Sequence, residues 1–286
     1  MEKANSNEFD YIIVGAGAAG SIVAARLAEN PKISVCIIEA GPSDNRPFVR
    51  IPAGFTKTLT QKSITWQFKT EPSENTLNRR IATTQGRLLG GSGSINGMIY
   101  VRGQPADYDH WAQMGNRGWD AASTFPYFRK AENWEGPADE VHAKGGPLFT
   151  SQNRDKPELC EIAIEAGQQM GWAYREDLND LPHGLGDHIG WVQQTRGGRF
   201  RASTARSYLR PAMGRANLQV ITNALVHRIV LEGKQAVGVE FSRDGTTQRA
   251  DAGGEVILSG GAIGSPHILQ LSGIGDPDHL RKIGID

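Results

Sequence analysis

Cysteine is scarce in this chain: Cys36 and Cys160 are the only two. That excludes a disulfide-stapled fold. Cys36 also falls inside an apolar run, so two free thiols in a reducing compartment, the cytoplasm, are expected. Excess charge of either sign is lacking too, with 31 Lys plus Arg against 31 Asp plus Glu. A balanced chain offers no field for nucleic acid or an anionic surface. No apolar run approaches the length of a transmembrane segment. Met1 to Asp10 is polar and holds no apolar core, so no secretory leader is expected. Aromatic residues make up only 7%. The local basic run Arg196, Arg199, Arg201, Arg206 and Arg210 has only Phe200 and Tyr208 for stacking, so a solvated face with acid partners is expected instead of a nucleic-acid surface. Metal-ligand spacing is missing as well. His183 and His188 sit near a Pro182–Gly186 loop with no carboxylate–histidine or cysteine pattern, and no metal is expected.

Glycine, by contrast, is abundant at 35 residues, which suits a backbone that runs close to a ligand. Gly15, Gly17 and Gly20 stand at G-x-G-x-x-G spacing after the apolar run Tyr11–Val14. The first glycine of that pattern makes a tight turn, the second lets backbone approach a pyrophosphate, and the third lets helix pack on strand. The helix expected from Ala18 to Glu29 is rich in alanine and is stopped by Asn30-Pro31. A second apolar run, Ile33–Ile38, ends at Glu39. A carboxylate there accepts hydrogen bonds from ribose hydroxyls and disfavours a 2′-phosphate. Dinucleotide binding follows, but this motif alone does not separate FAD from NAD.

Between Pro42 and Arg80 the prolines exclude long helices, and Ile64–Phe68, with Trp66 at its centre, alternates like a short strand. Gly86–Gly103 is a second glycine-rich stretch followed by buried-type residues, Met98 to Val101. A helix is expected to open near Asp107–Trp111, with Asp107 or Asp109 as N-cap. Pro157–Gly171 reads as an amphipathic helix with Leu159, Ile162, Ile164, Ala166 and Met170 toward a core. From Leu218 the pattern is of short strands: 218–222, 225–231, 236–241 and 246–250. Then Val256-Ile257-Leu258 reads as a buried parallel strand, followed by a helix from about Ser265. The fold class expected is α/β: a Rossmann-like parallel sheet with a β-meander insertion, plus part of a substrate domain. The division expected is 1–150, first part of the FAD-binding domain; 151–215, substrate-domain segment; and 216–286, second part. A plain NAD fold would place another βαβ unit where the meander stands, so the reading turns to FAD.

Three blocks resemble the glucose–methanol–choline (GMC) oxidoreductases, flavoenzymes that oxidise alcohols. They are Gly15-x-Gly17-x-x-Gly20 with Glu39-Ala40-Gly41; Gly86-Arg87-x-Leu89-Gly90-Gly91-Ser92 with Asn96, Tyr100, Gly103 and Asp109; and Gly261–Gly275. The whole stretch is most similar in character to choline-dehydrogenase-like members. The resemblance implies that Gly15, Gly17, Ala18, Ala19 and Gly20 cradle the FAD pyrophosphate and that Glu39, with Ala40 beside it, holds the adenosine ribose. Arg87, Gly91 and Ser92 would line the cofactor path. Asn96, Gly97, Met98 and Ile99 would lie at the flavin end, Val226 would meet the adenine, and Ala262 and Trp66 would stand near the cofactor. Some members tether flavin through a histidine before the asparagine; Ile95 stands there, which implies noncovalent FAD. Gly93 departs from the Ser or Thr common at its position. The family's catalytic histidine comes from a segment beyond the third block, so no catalytic residue is expected within this chain. The partners implied are a small-molecule alcohol and an electron acceptor, oxygen or another. Two alternatives stand beside this reading: an NAD-dependent dehydrogenase, and a catalytically inactive FAD-binding fragment.

Overall fold

The computed structural model describes residues 7–180 and 187–285. By contacts the chain divides into two compact units, one made of Met1–Asn96 with Ser203–Asp286 and the other of Gly97–Ala202. The chain thus leaves the first unit at residue 96 and re-enters it at 203, where the sequence suggested breaks at 150 and 215.

The first unit is built on a six-stranded sheet. Its strands are β1 (Glu8–Val14), β2 (Val35–Ile38), β5 (Leu218–Ile221), β6 (Ala224–Glu232), β7 (Gln235–Arg243) and β8 (Thr246–Leu258), after a separate hairpin of β3 (Thr65–Lys69) and β4 (Ala82–Gly86). The sheet order is β5-β2-β1-β8-β7-β6, parallel from β5 to β8 and antiparallel from β8 to β6. The expected meander therefore extends the parallel sheet directly. The two short strands expected at 246–250 and 256–258 are one continuous strand. Between them, register slips opposite Asp10: Phe9 faces Ala252 and Tyr11 faces Glu255, leaving Gly253-Gly254 as an irregularity. A side chain on Gly254 would come within 2.6 Å of the Asp10 carbonyl oxygen. A polar, glycine-bearing stretch that looks like a turn is thus a bulge inside a strand.

Side-chain alternation assigns the two sheet faces. Ile12, Val14, Cys36, Ile38, Val226, Val239 and Phe241 form one buried cluster, joined by Leu258 and Ile268. Ile13, Val35 and Ile37 are fully buried on the other face. The helix α1 (Ala18–Leu27) packs on β1 and β2 and buries Gly20, Ser21, Ala24 and Ala25. A second helix, α2 (Gly261–Leu271), follows β8 and packs on β6.

The second unit holds smaller sheets and three helices among its described residues. The helix at Pro105–Gln113 is capped by Gln104, with Pro105 in its first turn and the Asp107 side chain accepting from the Gln104 N–H at 2.8 Å. Neither Asp107 nor Asp109 is the N-cap, because Pro105 opens the helix three residues earlier than a cap at Asp107 would. The helix at Glu158–Gln169 also forms, but most of the expected apolar positions are not core: Leu159, Ile162 and Met170 are 76%, 53% and 72% exposed, Ala166 is exposed, and Ile164 is half-buried. Gly167 is its buried residue, set against Ile189 and Trp172.

At the centre of this unit is a buried polar cluster that the sequence did not signal. His142 Nδ1 lies 3.0 Å from both Glu132 carboxylate oxygens, and its Nε2 bonds the Asp177 carboxylate. Its ring stacks on Trp134 at 4.1 Å. Arg102 pairs with Glu132 at 3.1 Å, and Thr150 donates to Glu132 at 2.9 Å. Burial alone would push the imidazole down; hydrogen bonds to Asp177 and Glu132 overcome it and raise His142 to about 9.

The expected solvated basic face is mixed. Arg206 and Arg210 reach Asp44 and Arg196 reaches Asp155, but Arg201 is 2% exposed and therefore core.

Candidate functional site

A cavity of about 810 Å³ opens in the first unit where β1 and β2 end. The sequence explains its floor. β1 stops at Val14 because Gly15 turns at φ +94°, a left-handed conformation that favours glycine. A Cβ on Gly15 would stand 2.6 Å from the Ser259 carbonyl oxygen, so the turn also sits hard against the end of β8. A Cβ on Gly20 would stand 2.0 Å from the Gly15 carbonyl oxygen, which is why helix and strand approach so closely. Gly17 is different. It has an ordinary φ of −71°, and its Cβ would meet nothing nearer than the Ser259 carbonyl oxygen at 3.9 Å. The space left there opens into the cavity, so the protein's own packing does not require this glycine.

Gly17 is also the N-cap of α1, with no side-chain cap and no acidic residue in the first turn. Gly260 caps α2 in the same way. Both helix starts line the cavity, so free N–H groups and the positive ends of two helix dipoles face it. Glu39, at the end of β2, is 6% exposed and lines the cavity. Its Oε2 accepts from the Ala16 N–H at 2.8 Å and its Oε1 from the Gly41 N–H at 2.9 Å. Burial raises its carboxyl above the usual carboxylate range, opposed by those two N–H groups and by the Arg87 charge.

The cavity roof is the β3–β4 hairpin, in which Trp66 pairs with Gln85 and stacks on Phe68 at 5.9 Å. The turn after β4 ties back to the glycine turn: Gly90 N–H donates to the Ala16 carbonyl at 2.7 Å, and a Cβ on Gly91 would lie 2.9 Å from Gly17 Cα.

Of the nominated residues, Gly15, Gly17, Ala18, Ala19, Glu39, Ala40, Trp66, Gly91, Ser92, Val226 and Ala262 line this one cavity. Gly20 lies behind it as a packing contact. Arg87 is not among the lining residues; its guanidinium stands 5.1 Å above the Trp66 ring and its charge reaches Glu39. Asn96 ends the first unit, its N–H donating to the Ser92 carbonyl at 2.9 Å; Gly97, Met98 and Ile99 belong to the second. Phe68, Gln85, His227, Ser265 and His267 line the cavity without having been nominated. Alternation along the strand could have added Phe68 to Trp66, and the helix after Ala262 could have added Ser265. Gln85 and His227 stand beside motif residues and carry no signal of their own. His183 lies outside the described residues. Among the described residues no cluster of metal-ligating side chains occurs, and no helix is long and apolar enough to cross a membrane.

A strand–glycine turn–helix unit with a carboxylate ending the next strand, and a cavity between them, defines an α/β protein of the dinucleotide-binding class. The particular family follows from comparison. The profile of the GMC oxidoreductases matches residues 9–285, and the chain belongs to this family of FAD-binding oxidoreductases. An oxygen-dependent choline dehydrogenase of Stenotrophomonas maltophilia is 45% identical over 285 residues, which is 98% of this chain and 50% of that protein. The mitochondrial choline dehydrogenase of Homo sapiens is 41% identical over 286 residues, covering 98% and 48%. Among solved structures, a pyridoxine 4-oxidase from Mesorbium loti superposes with a TM-score of 0.88 at 34% identity, covering 97% of this chain and 54% of its own. The chain spans about half the length of the curated relatives it matches.

Proposed function

We propose that this chain is the FAD-holding part of an oxidoreductase that acts on the CH–OH group of alcohols, of choline-dehydrogenase type. The observation that carries the reading is Gly17: its missing side chain leaves room open to the cavity, at an uncapped helix start, with Glu39 lining the same cavity. Bound FAD would supply the hydride acceptor for the alcohol carbon, with an aldehyde or ketone as product. The chain's own share is binding and orientation. Gly15, Gly17, Ala18, Ala19 and the start of α1 would hold the pyrophosphate, with Gly20 keeping the helix close. Glu39 keeps lone pairs for ribose hydroxyls, Ala40 and Val226 would flank the adenosine, and Trp66, Gly91, Ser92 and Ala262 would line the path. Arg87 would act through Trp66 and Glu39. Asn96, Gly97, Met98 and Ile99 are proposed for the flavin on the resemblance of their block alone.

Noncovalent attachment belongs to the same proposal. Ile95 is buried among Val49, Ile64 and Leu88 and offers no nucleophile. Acid precipitation of the flavin-loaded protein should release FAD into the supernatant. Flavin retained in the pellet would refute noncovalent binding, and bound NAD without flavin would refute the FAD reading in favour of a nicotinamide enzyme. A second reading, a cofactor-binding module with no turnover of its own, is favoured by the half-length match to the relatives. Offering the FAD-loaded chain a panel of primary alcohols, choline included, with an artificial acceptor separates the two by flavin bleaching. The same assay compares oxygen with other acceptors. A cytoplasmic setting is supported by the two free cysteines; the human and mouse relatives are named mitochondrial, and fractionation of the source cell decides.

A further inference from the structure

Among the described residues, the cavity is lined by no lysine and no arginine, and Glu39 is its one lining carboxylate. A dinucleotide brings a diphosphate, and among the lining residues helix ends, the imidazoles of His227 and His267 and neutral donors are what can meet it. Side-chain hydroxyls are the obvious neutral donors: Ser92, Ser259 and Ser265 line the cavity, and Ser92 is the one the sequence motif names. Its hydrogen, however, is already committed. Ser92 Oγ donates to Gln85 Oε1 at 2.9 Å and accepts from the Gly86 N–H at 3.0 Å. A hydroxyl has one hydrogen to give, so Ser92 in this arrangement cannot also donate to a phosphate.

The pairing leaves a different donor. With Oε1 of Gln85 held by Ser92, the amide nitrogen carries two N–H groups that have no acceptor among the described residues. Gln85 lines the cavity, directly opposite Trp66 in the hairpin. Gly91, beside Ser92, abuts Gly17 at the start of α1. The amide is therefore carried on the segment that touches the phosphate-binding turn.

We propose that Gln85 is the side-chain donor to the diphosphate of the bound dinucleotide, and that Ser92 is a positioning residue that fixes which end of the amide faces the cavity. The proposal rests on the FAD reading above. The test measures binding of FAD, ADP and adenosine to the full chain. Gln85→Ala and the near-isosteric Gln85→Met should each weaken FAD and ADP by the same factor, about tenfold or more for a hydrogen bond to a charged acceptor, and leave adenosine unchanged. Gln85→Glu should weaken both further, with a deficit that shrinks as salt is added. Ser92→Ala should weaken ADP on its own and add little in the Gln85→Ala background, as coupled residues do. FAD and ADP bound as tightly by both neutral Gln85 variants as by the parent would overturn the proposal. So would an equal loss of adenosine. A parent chain that binds neither FAD nor ADP would instead overturn the cofactor reading on which it stands.

Discussion

His142 and Glu132 form a closed pair inside the second unit: the imidazole Nδ1 is equidistant, at 3.0 Å, from both carboxylate oxygens, and both side chains are at most 2% exposed. The histidine is raised from 6.5 to about 9 in the folded chain. A base whose folded value is raised contributes stability that is complete below its unfolded value and is lost as pH climbs through the folded one. Stability of this chain should therefore fall between pH 6.5 and about 9, by about 3 kcal/mol at roughly 1.4 kcal/mol per pH unit. Urea melts across that range check it. His142→Gln should remove the slope, and a parent chain equally stable at pH 6 and pH 9.5 would contradict it.

Gly17 and Gly20 are expected to part company on substitution. Gly20→Ala sets a methyl 2.0 Å from a backbone oxygen. Overpacking of that kind costs about 3 kcal/mol or more where backbone must move. Gly17→Ala meets nothing within 3.9 Å. It should leave the melting temperature within about 2 °C of the parent while weakening FAD. Thermal melts beside flavin-fluorescence titrations separate the two; equal melting of both variants would count against the geometry.

Glu39→Ala should act on both folding and binding. Two backbone N–H groups, of Ala16 and Gly41, lose their acceptor, at about 1–3 kcal/mol for each donor left buried and unpaired. Two ribose hydroxyls lose a charged acceptor, so FAD affinity should drop about tenfold or more. Glu39→Gln keeps one carbonyl oxygen and should lie between. Retention of flavin through dialysis, measured for all three chains, reads the binding part.

The two thiols should differ in reactivity. Cys36 is fully buried in β2, and burial pushes its thiol up to about 12. Cys160 is exposed. A thiol-reactive dye at pH 8 should therefore label one cysteine in the folded chain and both after denaturation. Rapid labelling of Cys36 in the native chain would show that β2 opens.

What could be read from sequence was what is local. Tyr11 to Glu39 carries strand, turn, helix and second strand within one short span, and each part announces itself by period or by glycine. The meander was visible for the same reason. The bulge at Gly253-Gly254 was not, since a polar glycine pair inside a strand looks like the turn it replaces. The helix at Glu158–Gln169 was found from its period, but period reports amphipathicity and not what covers the apolar face. The buried group around His142 gathers Arg102, Glu132, Thr150 and Asp177 from separated segments, and no spacing rule reaches that far. Ser92 stands in the motif and Gln85 does not, so sequence points to the hydroxyl, while the pairing of the two side chains in the fold turns the free donor over to its neighbour.

The pairing of β1 with β8 sets an order of events in the making of the protein. β1, Glu8–Val14, has β2 for one neighbour soon after its own synthesis, but its other edge is closed only by Asp251–Leu258. Throughout the synthesis of everything between, that edge is an unpaired row of backbone groups whose second half, Ile12 to Val14, is apolar, which is the state most open to wrong partners. A nascent chain arrested before residue 251 is thus expected to need chaperone cover, and release of that cover should coincide with the appearance of β8.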